Sequence, residues 1–142
     1  MRFSRWTSAL FLAAGSALAA EPWFTVVGDD TNPNVDTVQF DPTPVSVNGH
    51  LRVLRMRASR SADRLSGEGI RFRSYNGMVE FDCDLRTARF VRSEFYLEPF
   101  WKGEPYRTFD YGPETNRAMR FYGIQPNPAE RILRAACLPA AR

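Results

Sequence analysis

Two cysteines, Cys83 and Cys137, constrain this chain more than any other feature, because both lie downstream of a stretch that reads as a secretory signal. An even cysteine count in an exported chain predicts a disulfide. Closing a loop of 54 residues is worth about 4 kcal/mol in the chain-entropy model, a large share of a small domain's stability. The alternatives are two buried thiols or a metal site. One histidine, His50, cannot complete the four-ligand shell that structural zinc takes, so no metal and no cofactor is expected.

The signal reading rests on Arg2 and Arg5 as a basic start, an apolar centre over residues 6–14, and Ala17-Leu18-Ala19 as a small-x-small cleavage site. Cleavage after Ala19 or Ala20 is expected, which removes residues 1–20 and leaves 21–142 as a single domain. No later segment approaches the roughly 20 apolar residues that a spanning helix needs. No cysteine stands at the cleavage point to carry a lipid anchor. The expected location is the periplasm or the exterior. Two of the 19 basic residues leave with the signal, so 17 Lys and Arg face 16 Asp and Glu. A mature chain so near neutrality gives no reason to expect a nucleic-acid partner.

Strand patterns dominate the middle of the chain. Trp23 to Val27 is apolar, Thr37 to Phe40 alternates, Val45 to Ala58 contains an Asn48-Gly49 turn candidate, and Thr87 to Tyr96 reads as a strand after the link Asp84-Leu85-Arg86. Within residues 69–84, Asn76-Gly77 predicts a type I′ hairpin, whose register would pair Arg73 with Glu80, Phe72 with Phe81, Arg71 with Asp82 and Ile70 with Cys83. Val79, Phe81 and Cys83 alternate with Glu80, Asp82 and Asp84, so Cys83 points inward with the apolar set. Its partner ends a predicted helix with Asn127 as N-cap, Pro128 at the first helical position and Glu130 at N3. Ala129, Leu133 and Ala136 or Cys137 share a face at helical spacing. The expected architecture is α+β: an antiparallel, meander-like sheet with one C-terminal helix packed on it and disulfide-linked to it.

Trp23, the run Glu80-Phe81-Asp82-Cys83 followed by Arg86 and Arg89, and Phe121-Tyr122-Gly123-Ile124-Gln125-Pro126-Asn127 leading to the helix with Cys137 resemble the surface-adhesin protein E family of small exported bacterial proteins. The similarity spans about Trp23 to Cys137. It implies a sheet with a packed helix and, for the family's namesake, binding of host matrix proteins. Phe121 and Pro128 stand where the family often has tryptophan and serine, and the namesake's anchor cysteine has no counterpart.

The sequence holds no phosphate loop or nucleophile elbow, and His50 has no nucleophile at motif spacing. Asp82 and Asp84 share a strand face, but the hairpin register supplies Asp82 with Arg71, so no catalytic residue is assigned. Binding is the expected activity, toward a host matrix protein or, in the alternative reading of an envelope structural or assembly accessory, another bacterial protein. Two groups are candidates. Residues 51–73 carry seven arginines, among them Arg52, Arg55 and Arg57, while residues 21–50 carry five carboxylates and no Lys or Arg. Such blocks hold an acidic ligand or neutralise each other across neighbouring strands. The second group is Phe100-Trp101, in a turn-rich stretch that favours exposure and so a contact surface.

Overall fold

Among the described residues, seven strands and one α-helix follow in order: β1 (Phe24–Val27), β2 (Thr37–Phe40), β3 (Ser46–Asn48), β4 (Leu51–Leu65), β5 (Arg71–Asp82), β6 (Thr87–Tyr96), β7 (Arg107–Asp110) and α1 (Ala129–Ala136). The computed structural model describes residues 22–139 together with Gly15. The expected signal and its cleavage point lie outside the described residues, apart from Gly15. The strands form one antiparallel sheet in the order β1-β2-β4-β5-β6-β7, with β3 also paired to β4. This is the meander expected from the sequence. The second turn candidate forms one residue later than Asn48-Gly49, because Asn48 pairs with Leu51 and leaves Gly49 and His50 as the loop, with Gly49 at φ 60°.

The Asn76-Gly77 hairpin does not form. β5 runs unbroken from Arg71 to Asp82, and Asn76 and Gly77 lie at its centre, paired with Arg57 and Met56 on β4 and with Glu94 and Ser93 on β6. The reversal occurs earlier, where Ser66 N donates to Ile70 O at 2.8 Å and Gly69 supplies the positive φ of 77°. Gly77 serves packing instead. A Cβ built there would meet Phe90 Cε1 at 2.8 Å, so the missing side chain is what lets the Phe90 ring lie over β5. Gly77→Ala is expected to cost about 1–3 kcal/mol as an overpacking change. In urea unfolding, Phe90→Leu should recover part of that loss, and strictly additive effects of the two substitutions would contradict this packing.

The parity of β5 survives the change of partner, because which side chains point inward is a property of the strand itself. Val79 and Phe81 are fully buried, in one cluster with Leu54, Ile132, Leu133 and Ala136. Helix α1 is short for independent stability and is held by its surroundings. Asn127 Oδ1 accepts from Ala129 N at 3.0 Å, and Arg131 Nη1 donates to Val26 O at 3.1 Å. Cys137 is bonded to Cys83, with Cα atoms 5.5 Å apart. At the helix end, Arg52 donates to the carbonyls of Ala136 at 3.0 Å and Leu138 at 2.5 Å, occupying orphan acceptors and setting a cation at the negative end of the helix dipole.

Two transverse rows define the faces. Val38, Ala58, Tyr75 and Phe95 run along one, from β2 to β6, and all are buried. Gln39, Arg57, Asn76, Glu94 and Thr108 run along the other, from β2 to β7. The first row belongs to the core that α1, Met119, Phe121 and Ile124 complete. Among the described residues no helix or second sheet covers the other face; Trp23 and the Pro99–Trp101 turn lie over part of it.

Candidate functional site

On the open face a guanidinium lies between two indoles. The Arg57 Cζ atom sits 4.1 Å from the Trp23 ring centre and 4.0 Å from that of Trp101, and Arg57 Nε donates to Gln39 Oε1 at 2.8 Å. Gln39 Nε2 in turn donates to Thr25 Oγ1 at 3.0 Å and Asp30 Oδ2 at 3.1 Å. Cation–π contacts of this kind contribute about 0.5–2 kcal/mol each, and the planar guanidinium holds both rings where a lysine would hold neither as well.

Trp101 is set by a strained turn. Phe100 and Trp101 take φ values of 56° and 59°, a left-handed conformation that costs non-glycine residues of order 1–3 kcal/mol each. Two serines fully buried on adjacent strands, and paired with each other in register, hold it. Ser59 Oγ accepts from Phe100 N at 3.1 Å. Ser74 Oγ accepts from Trp101 N at 3.0 Å and donates to Glu98 O at 2.6 Å. The indole Nε1 donates to Tyr75 O at 2.9 Å. Ser74→Ala leaves a donor and an acceptor unanswered, so a loss of about 1–3 kcal/mol is expected. A blue shift or red shift of Trp101 fluorescence should accompany it, and an unchanged spectrum would mean that the turn is held by other contacts.

Charged side chains fill the rest of the face as ion pairs: Arg89 with Glu80 at 3.0 Å, and Arg92 with Asp110 at 2.9 Å and with Glu94 at 3.3 Å. The hydrogen bonds that Arg92 donates to Asp110 and Glu94 raise its already basic guanidinium further. Partial burial, then the Glu94 charge, push the Tyr96 phenol up, so it stays protonated and accepts from Asn76 Nδ2 at 3.0 Å. Between Trp23, Arg57, Met78, Arg92 and Glu94 lies a shallow depression of about 280 Å³.

The five expected ligand-binding residues fall in different places. Arg57 and Trp101 meet on the open face, with Phe100 beside them, its ring centre 6.1 Å from that of Trp101; both aromatics are partly exposed. Arg55 shares the face and the depression, its Cζ 5.3 Å from the Trp23 ring centre, while binding the buried Asp41 carboxylate at 2.6 Å. Arg52 is on the helix side, bonded to main-chain carbonyls. The arginine block and the carboxylates of residues 21–50 therefore do meet across strands, as Arg55–Asp41 and Arg60–Asp36.

Asp82 is not paired with Arg71. Without the hairpin, Arg71 lies 3.7 Å from Asp63, and Asp82 and Asp84 stand 3.7 and 3.6 Å from the two ring nitrogens of the half-exposed His50. Among the described residues no group of three or more His, Cys, Asp and Glu side chains is arranged to hold a metal ion. No described helix is long and apolar enough to cross a membrane.

A family model described as surface-adhesin protein E matches residues 23–138, from the tryptophan of the Arg57 stack to the residue after Cys137. No curated protein and no solved structure matches the chain.

Proposed function

The chain belongs to the surface-adhesin protein E family, and on that premise we propose that it is a non-catalytic exported binding module whose open sheet face docks a protein partner, centred on Trp23, Arg57 and Trp101. The observation that carries this reading is the Trp–Arg–Trp stack, held rigid over an otherwise uncovered sheet by a strained, doubly clamped turn. Tryptophan, tyrosine and arginine dominate the energetics of protein interfaces, and anchors fixed before binding lose little entropy on docking. The surrounding ion pairs supply a polar rim and select by charge complementarity. Arg52 and Arg55 support the scaffold in this reading, and Phe100 extends the aromatic edge.

The test uses the whole chain against a panel of purified host matrix proteins and against envelope extract. Met78→Asp, on the open face, should weaken capture at least ~10-fold, whereas Arg134→Asp on exposed α1 should leave it unchanged. Capture lost through Arg134→Asp and kept by Met78→Asp would overturn the assignment of the face. A partner found in the envelope extract alone would select the accessory role over host adhesion.

A further inference from the structure

The core side of the sheet carries a second feature, independent of the open face. Beyond the end that α1 covers, the β4–β5 turn and residues 111–122 leave a cleft of about 600 Å³, within the ~300–1,000 Å³ typical of small-ligand sites. Its floor is aromatic: Phe72, Tyr75, Phe90 and Phe95 are all buried, with ring centres 5.3–6.2 Å apart. Its rim is basic, with Arg60, Arg64, Arg117 and Arg120 among the lining residues.

Two of these cations are answered within the protein. Arg60 Nε lies 3.1 Å from Asp36 Oδ1, and Arg117 Nη2 lies 3.0 Å from Glu68 Oε1. Partial burial works to raise Glu68, but hydrogen bonds from Ser66 and Tyr111 and the charge of Arg117 outweigh it and hold the carboxyl below its usual range. Asp36 is likewise raised by burial and lowered more by its bonds from Ser61 and Arg60. Both carboxylates stay charged and committed. Among the described residues, Arg64 and Arg120 meet no carboxylate within ion-pair distance; Arg120 Nη1 donates only to Tyr122 Oη at 3.2 Å. Burial pushes the Tyr75 phenol up, against the pull of Arg60, so the floor itself carries no negative charge. An apolar floor beneath two uncompensated guanidiniums is complementary to one chemistry.

We propose that this cleft binds a small amphipathic anion, with a single carboxylate-type head held by Arg64 and Arg120 and an apolar body laid on the Phe72, Tyr75, Phe90 and Phe95 rings. Guanidinium forks favour planar two-oxygen heads, and a floor of four buried aromatic rings favours an acyl or aryl body over a sugar.

Calorimetric titration of the whole protein with decanoate, decanol and acetate separates the contributions. Decanoate should bind at submillimolar concentration and at least ~10-fold tighter than decanol, with acetate giving no heat. Arg64→Gln/Arg120→Gln should weaken decanoate at least ~10-fold and leave decanol unchanged. Equal affinity for decanoate and decanol, an unaffected double variant, or no heat with millimolar decanoate would each overturn the proposal. Should that variant melt early, aromatic NMR of the unaltered protein decides: decanoate must shift the Phe72, Tyr75 and Phe95 ring signals, and shifts confined to the Trp23 and Trp101 indoles would refute the cleft.

Discussion

Cys83→Ala/Cys137→Ala protein is expected to lose about 2–4 kcal/mol of folding stability and to melt on the order of 10 °C lower. The closed loop of 54 residues restricts the unfolded chain, and that restriction is worth up to about 4 kcal/mol before any strain is subtracted. A second part of the effect is local. Helix α1 has only 8 residues and cannot hold its own conformation in water. Its docking depends on Ile132, Leu133 and Ala136 in the core, on the Arg52 bonds at its end and on the covalent tie. Without the tie, amide exchange should rise first along residues 129–137, while the β4–β5–β6 centre keeps its protection. Thermal melting and hydrogen exchange check this together. A melting temperature unchanged by the substitution would mean that the helix is docked fully by packing.

Arg55→Ala is expected to cost about 2–3 kcal/mol and to weaken binding per folded molecule less than Met78→Asp does, because its main partner is the buried Asp41 rather than the Trp23 ring 5.3 Å away. Asp41 is only 1% exposed at its side chain, and Arg55 reaches it with two donors, Nη2 at 2.6 Å and Nε at 3.1 Å. Removing one partner of a buried pair leaves an uncompensated charge, which costs about 3–5 kcal/mol when both groups are fully buried. Arg55 is 41% exposed, so solvent screens part of that interaction and the expectation is set lower. Thr43 N, at 2.9 Å from Asp41 Oδ1, then remains a donor to the carboxylate. Adding Asp41→Asn should return part of the loss, because a neutral amide is cheaper to bury than a carboxylate. Urea denaturation of the two variants gives the comparison. If Arg55→Ala left stability intact and abolished binding, Arg55 would belong to the contact surface rather than to its support.

Strand parity was legible in the sequence because it depends only on alternation along β5, and it was enough to point Cys83 inward and to pair it with the helix. Strand pairing was not legible. Asn76-Gly77 carries the strongest short-range hairpin signal in the chain, yet the glycine is demanded by the ring of Phe90, a residue 13 positions away. Nothing local distinguishes a glycine that turns from one that makes room. The charge blocks were legible as blocks, and their cross-strand neutralisation follows from β2 lying beside β4. Within the candidate surface, Arg57 and Trp101 were visible as residue types. Their meeting was hidden, because it needs β4, the Pro99–Trp101 turn and Trp23 to converge from three separate parts of the chain. Ser59 and Ser74 gave no signal at all, since a serine in a strand is ordinary until its hydroxyl is seen clamping a backbone.

The proposed division of labour puts scaffold and cleft on the helix side of the sheet and macromolecular contact on its open side. Photo-crosslinking in intact cells tests that division directly. A photoreactive residue placed in turn at Thr25, Met78 and Thr108 on the open face, and at Glu130 and Arg134 on the helix, reports which face meets another protein. Discrete protein adducts are expected from the open-face positions and none from the helix. Adducts from Glu130 and Arg134, with the open-face positions silent, would contradict that division.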